Sequence, residues 1–127
     1  MTIEIKIAEK QVLMDHEKLT VYQTAIEFVT LADEIIEHLP RGRAYLSDQL
    51  QRAALSIPLN IAEGAGEYAI DEKARFYRMA KRSATECASI LDVCQRLELV
   101  EEKRYMNGRE LLLGIVSMLI KMAQKQR

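Results

Sequence analysis

Residues 49–64 read Gln49-Leu50-Gln51-Arg52-Ala53-Ala54-Leu55-Ser56-Ile57-Pro58-Leu59-Asn60-Ile61-Ala62-Glu63-Gly64. Apolar side chains recur in this stretch at steps of three and four residues, the spacing of one face of an α-helix. The same spacing extends the helix from about Tyr45 to Glu67. Pro58 lies inside it, and its ring removes one backbone hydrogen bond and clashes with the carbonyl of Ala54. We therefore predict a kink at Pro58.

A polar stripe runs opposite the apolar one. Steps of three, four, four and three residues place five side chains on one face of the helix: Gln49, Arg52, Ser56, Asn60 and Glu63. Pro58 leaves the Ala54 carbonyl without its usual donor, so a polar side chain or water must satisfy it. The stripe is either an ordinary solvated face or a structured polar network at an interface.

An earlier segment predicts a first helix. Thr20-Val21-Tyr22-Gln23 reads as a capping box, with Thr20 as the N-cap and Gln23 at the third helical position. Apolar residues then follow at helical spacing: Ala25, Val29, Ala32, Ile36 and Leu39. Pro40-Arg41-Gly42 ends this helix.

The third helix is predicted after Asp71, which is placed as its N-cap. Apolar and small residues then repeat in steps of four and three from Phe76 to Leu97. Cys87 and Cys94 belong to this pattern, and their separation of seven residues is not a metal or redox spacing. Both are expected to pack in the core as small hydrophobic side chains.

The fourth helix, from about Glu101 to Gln124, is apolar around most of its circumference. Between Leu111 and Ala123 only Gly114, Ser117 and Lys121 are not apolar. These apolar positions cover roughly 280°, whereas a helix packed on one side needs a stripe somewhat wider than about 100°. Homo-oligomerisation is the simplest explanation, and the alternative is a helix wholly surrounded by its own bundle. The interface candidates are Leu111, Leu113, Val116 and Ile120.

Residues 1–18 form an N-terminal tail or arm outside the bundle domain, which we place at residues 19–127. Ile3, Ile5 and Ile7 alternate with polar residues, as in a strand. Because a lone strand is not stable, this segment is either a frayed tail or an arm laid on a neighbouring subunit. It has no apolar segment typical of a signal peptide, and no uncharged apolar run is long enough to span a membrane. A cytoplasmic location is the expectation.

Catalytic constellations are absent from the sequence. Neither His16 nor His38 has a Glu three residues before it, as a di-iron four-helix bundle would require. The glycine-rich phosphate loop, the His-Glu-x-x-His motif and the Gly-x-Ser-x-Gly motif are also missing. We therefore expect a protein that is not an enzyme and has no metal, cofactor or small-molecule substrate.

Charge is spread unevenly along the chain. The net charge is −5 over residues 1–39, +3 over residues 40–82 and +1 over residues 83–127. A basic cluster on the third helix contributes to the excess: Arg75, Arg78, Lys81 and Arg82. The overall charge of −1 argues against a free-standing nucleic-acid binder. The cluster is either a phosphate-binding patch or a solvated helix face.

The run Gln-x-x-Arg-Ala-Ala-x-Ser-Ile-Pro-x-Asn-Ile-Ala-Glu-Gly at residues 49–64 resembles the signature of the 23S rRNA intervening-sequence, or four helix bundle, protein family. Leu19-Thr20-Val21-Tyr22-Gln23-x-Ala25, Arg75-Phe76-Tyr77 with Ala80, and Ser83-Ala84-Thr85-Glu86-Cys87 are also similar to the family's helices. One departure is Arg82-Ser83, where the family commonly has Gly-Ser. That change would disturb a close helix contact unless position 82 faces water.

The resemblance implies an antiparallel up-and-down bundle that assembles into rings, notably pentamers. Family members were noticed as reading frames inside segments that interrupt large-subunit ribosomal RNA genes. A similar fold serves as the accessory variability protein of diversity-generating retroelements, which partners a reverse transcriptase and RNA. The resulting hypothesis is a homo-oligomeric helical adaptor that binds RNA or an RNA-handling protein such as a reverse transcriptase. The alternative is a protein-only scaffold with no nucleic-acid contact.

Overall fold

A computed structural model describes residues 13–125 of the chain. A short 3₁₀ helix, Asp15–Lys18, precedes four α-helices. Their bounds are α1 Thr20–Glu37, α2 Ala44–Ala65, α3 Ile70–Arg96 and α4 Glu102–Lys125. Residues 13–125 contain no strand, which confirms the predicted all-α four-helix bundle. The predicted arm at Ile3–Ile7 lies outside the described residues.

The helices pack in the order in which the chain visits them. α1 contacts α2, α2 contacts α3, α3 contacts α4, and α4 returns to contact α1. The connections are a few residues long, so consecutive helices run antiparallel, as in an up-and-down bundle. The 3₁₀ helix packs on α1 and α2 at one end. Within residues 13–125, none of the helices combines the length and apolar character that crossing a membrane requires.

Both predicted N-caps are wrong by one or two residues. Leu19, rather than Thr20, is the N-cap of α1, and it also packs against the core. Ala69 precedes α3, so Asp71 lies in the first turn. A carboxylate in the first turn still favours the helix, because it faces the positive end of the helix dipole. At α1, packing of Leu19 against the core therefore outweighs the capping preference of Thr20.

The core face of α1 is rotated from the predicted stripe. Phe28, Leu31 and Ile35 are buried, whereas Val29 and Ile36 are only partly buried. The helix carries apolar residues on two adjoining faces that share the buried Ala25 and Ala32, and the predicted stripe follows the less buried face. The larger side chains fill the bundle interior, and the β-branched pair is left at the edge next to α2.

Small residues bring α2 and α3 close together. A Cβ atom built on Gly64 would lie 2.7 Å from Cε1 of Tyr77, well inside normal contact distance. Ala80 and Ala84 of α3 are also fully buried. α2 passes through the buried Pro58 without interruption, and the bend there stays a prediction.

Candidate interaction surfaces of the bundle

The middle of the α2 polar stripe lies between helices. Oγ of Ser56 and Oγ of Ser83 on α3 are 2.8 Å apart. The amide nitrogen of Asn60 donates to Oγ of Ser56 at 2.9 Å and to the Ser56 carbonyl at 3.0 Å. All three side chains are half-buried. The structure thus places a hydrogen-bonded polar cluster, Ser56, Asn60 and Ser83, in the seam between α2 and α3.

The two ends of the stripe do not join this cluster. Nη2 of Arg52 donates to Oε1 of Gln49 at 3.0 Å, and both side chains are exposed. Glu63 is also exposed. Five residues that share one helical face therefore occupy two environments, an interhelical seam and solvent, and they do not converge on a single site.

Lys73 caps the C-terminal end of α2, a role that was not predicted from the sequence. Its Nζ donates to the carbonyl of Gly64 at 2.9 Å and to that of Ala65 at 3.1 Å. The last carbonyls of a helix have no partner within the helix, so a cation here satisfies them and interacts favourably with the helix dipole. The signal was a lysine shortly after a glycine-rich helix end.

Together these contacts explain most of the motif at residues 49–64. Ala53, Ala54, Ile57 and Ile61 are buried in the core, and Ser56 and Asn60 reach Ser83 or each other. The motif specifies how α2 packs. Leu55, which is also part of this stretch, stays half exposed and faces the neighbouring helix α1 across an open groove.

The basic cluster on α3 faces solvent. Arg75, Arg78, Lys81 and Arg82 are all exposed. Nη2 of Arg75 lies 2.8 Å from Oε2 of Glu72, and this hydrogen bond lowers the pKa of Glu72 and raises that of Arg75. The guanidinium of Arg75 also lies 4.7 Å from the ring centre of Phe76. The charge of Arg75 is therefore already matched on its own helix.

The other three cations of α3 are differently placed. Arg78, Lys81 and Arg82 take part in no salt bridge among residues 13–125. Glu86 is exposed one turn after Arg82 and reduces the positive potential at that end. Because Arg82 faces water, the Arg82-Ser83 departure from the family pattern leaves the close contact to Ser83 intact.

The outer face of α4 carries an exposed apolar line. Met106, Leu113 and Ile120, spaced seven residues apart, are 52%, 59% and 39% exposed. Of the other predicted interface residues, Leu111 and Val116 are half-buried against the bundle's own core. The predicted interface does not include Met106, because the dense apolar run of α4 begins at Leu111. A helix wholly surrounded by its own bundle does not fit these exposures.

A second apolar surface is the groove between α1 and α2. It has a volume of about 330 Å³. Val29 and Ile36 line it from α1, Leu55 lines it from α2, and Ala32 and Ala54 lie at its base. Leu55 is 50% exposed. Asp33 and Gln51 are the polar residues at its rim, together with Thr30.

Reactive groups are scarce in the described part of the chain. Within residues 13–125, no group of three or more His, Cys, Asp or Glu side chains is arranged to hold a metal ion. Cys87 and Cys94 are free and buried. Burial raises the pKa of the Cys87 thiol to about 12, with a smaller contribution from Glu86, and burial also raises the pKa of Cys94. Both thiols therefore stay protonated at neutral pH.

Comparison with known proteins gives one family and one fold. The sequence model of the 23S rRNA-intervening sequence protein family matches residues 17–121. A crystal structure of a protein of unknown function from the S23 ribosomal protein family of Bacteroides thetaiotaomicron superposes with a TM-score of 0.76. It is 21% identical, and the match covers 82% of this chain and 98% of that one. At this identity the likeness shows the shared fold. No protein with a curated description matches.

Proposed function

This chain belongs to the 23S rRNA-intervening sequence protein family, and we propose that it is a non-catalytic, homo-oligomeric adaptor that binds RNA through the outer face of α3. The observation that carries the proposal is the apolar line Met106, Leu113 and Ile120 on α4. Exposed apolar side chains grouped on one helix face mark interaction sites in soluble proteins. A second copy of the chain is the partner that is always present.

The RNA part of the proposal rests on the outer face of α3. Arg78, Lys81 and Arg82 are exposed and have no acidic partner within residues 13–125. One such patch would hold phosphates weakly. A closed ring, which we propose to be a pentamer, would repeat the patch around its circumference, and multivalency raises the apparent affinity without any new contact.

One feature favours the competing function, a scaffold that binds only proteins. α1 carries four acidic and no basic side chains, and the chain as a whole has a net charge of −1. Negative charge repels a phosphate backbone. An RNA-handling protein such as a reverse transcriptase would be a partner under either function, and direct RNA binding distinguishes the two.

Light scattering at micromolar concentration tests the assembly. We expect a mass near five times the 14.6 kDa of one chain. A ring of another size would change the number of copies that we propose. The proposal of an oligomeric adaptor would still stand. A monomer at every concentration would contradict the proposed function.

Filter binding at low salt tests the RNA contact. The triple change Arg78→Ala, Lys81→Ala and Arg82→Ala should abolish most of the retained single-stranded RNA. For the wild type, the logarithm of the affinity should fall with the logarithm of salt by about 0.7 for each phosphate neutralised. Sequence preference should be slight, because phosphates carry no base information.

A matched control removes three exposed cations elsewhere: Lys18→Ala, Arg41→Ala and Arg96→Ala. It loses the same net charge and should retain far more RNA than the α3 triple variant. The double change Glu72→Gln with Arg75→Gln should have a small effect, because it removes a matched ion pair and leaves the net charge unchanged. An equal loss of retained RNA in both triple variants would show a non-specific charge effect. If the wild type retained no RNA, the protein-only scaffold would be the remaining function.

A further inference from the structure

We propose that the apolar line of α4 in one copy docks into the α1–α2 groove of the next copy, so that the chain assembles head to tail. This inference rests on the proposed self-association and adds which two faces meet. Met106, Leu113 and Ile120 form the line, and the groove lies between Val29 and Ile36 of α1 and Leu55 of α2. The partner is therefore a second copy of this chain.

The spacing of the two surfaces matches. Successive side chains of the α4 line are seven residues apart, which is about 10 Å along a helix. Val29 and Ile36 are also seven residues apart along α1. A side chain of the line can therefore enter the space between them, as a knob enters a hole in helix packing. A helix laid into an apolar groove is a common form of recognition.

The base of the groove leaves room for such a side chain. Ala32 and Ala54 are buried there and contribute only a methyl group each. The result is an open volume of about 330 Å³ beside the exposed Leu55. No side chain of residues 13–125 fills this volume.

The helices that carry the two surfaces have net charges of opposite sign, and Arg109 and Glu110 both lie beside the α4 line. α1 has a net charge of −4, and α4 has five basic and two acidic side chains, for a net charge of +3. One pair acts within the chain, since Nε of Arg104 lies 3.8 Å from Oε2 of Glu34. Asp33 at the groove rim and Arg109 beside the α4 line take part in no salt bridge among residues 13–125.

These charges favour a contact between different faces over a contact between identical ones. An α4-to-α4 dimer would bring two net positive helices together and leave the groove open to water. Docking α4 against α1 brings opposite charges together, which fixes register and partner choice. A contact between two different patches of one protein propagates around a ring when the rotation closes.

Engineered cysteines test which faces meet. The double variant Leu55→Cys with Leu113→Cys should form covalent dimers, trimers and higher species on oxidation, seen on a non-reducing gel. Each single variant should stay monomeric on that gel, and the two single variants co-expressed should give dimers only. Cys87 and Cys94 are buried and have raised thiol pKa values, so the native background adds no cross-link.

The matched control pairs Leu55→Cys with Ser89→Cys, an exposed position on α3 outside both surfaces. It should give no ladder. Self-linking of Leu113→Cys alone would overturn the inference in favour of an α4-to-α4 contact. Absence of any cross-link in an oligomer of unchanged mass would also overturn it and leave the proposed function standing. A monomeric wild type would instead overturn the proposed function itself.

Charge exchange gives a second measurement. Asp33→Arg and Arg109→Asp should each lower the oligomer mass by light scattering, and the two changes together in one chain should restore it. Restoration would show that the two side chains meet across copies. If the double variant is as dissociated as the worse single variant, Asp33 and Arg109 do not pair and the proposed register is wrong.

Discussion

Along the seam between α2 and α3, Gly64 lies under the ring of Tyr77, and Ser56, Asn60 and Ser83 satisfy one another. On the outer face of α4, Leu113 is more than half exposed within residues 13–125. In the first region the side chains already have partners within the bundle. The second is free to bind because its apolar surface is still in water. The difference predicts that substitutions in the seam change stability, whereas substitutions on α4 change assembly.

Gly64→Ala should give the largest loss of stability. The added Cβ would lie 2.7 Å from Cε1 of Tyr77 and 3.2 Å from Cβ of Phe76. Tyr77 is buried, so its ring has little freedom to move. Overpacking of this kind costs about 1–3 kcal/mol, which urea unfolding monitored by circular dichroism would measure.

Gly114→Ala is the control for this substitution. A Cβ atom there meets nothing within 4 Å, and replacing glycine by alanine inside a helix gains about 0.5–1 kcal/mol. The same change should thus lower stability at one position and raise it at the other. Equal effects at both would show that the close approach of α2 to Tyr77 does not limit stability.

Asn60→Leu should give the next largest loss. It removes the hydrogen bonds that the Asn60 amide donates to Oγ and to the carbonyl of Ser56. Oγ of Ser56 keeps its contact with Ser83, so we expect a loss of about 1 kcal/mol. The midpoint of thermal unfolding should fall, while the oligomer mass should stay the same.

Gln49→Leu serves as the comparison, because it removes an exposed hydrogen bond to Arg52 on the same helix. Its effect should lie within about 0.5 kcal/mol. If the two variants unfolded at the same temperature, the polar cluster would contribute no more to stability than the solvated end of the stripe.

Leu113→Gln should have the smallest effect on the stability of the folded chain, within about 0.5 kcal/mol, because the side chain is exposed. Its effect should appear in assembly, as a lower mass by light scattering at the same protein concentration. Val93→Gln, at an exposed apolar position on α3, should leave the mass unchanged. If Leu113→Gln left the oligomer mass unchanged, the α4 line would not be part of the interface.

Periodicity and turn residues were sufficient to predict four helices and their approximate bounds. They were less reliable at the helix ends and on α1. The helix begins beside Leu19 and not at Thr20, because packing against the core outweighs the local capping preference. On α1, two apolar faces share Ala25 and Ala32, and spacing alone does not tell which of them points inward.

The candidate surfaces divide in the same way. The exposed basic face of α3 and the excess apolar surface of α4 could be read from the sequence, since both are properties of one helix. The groove between α1 and α2, the bond between Ser56 and Ser83, and the cap that Lys73 places on α2 each join two separate segments. No single helical pattern contains them.

The sequence by itself determined four amphipathic helices, their order and the character of each face, because those properties depend on residues three and four positions apart. The tertiary structure alone decided which α1 face is buried, which members of the α2 stripe lie in the seam, and where a groove stays open. The physical reason is that burial depends on how neighbouring helices fill space. That outcome is set by side-chain volumes on two helices at once, such as Gly64 facing Tyr77.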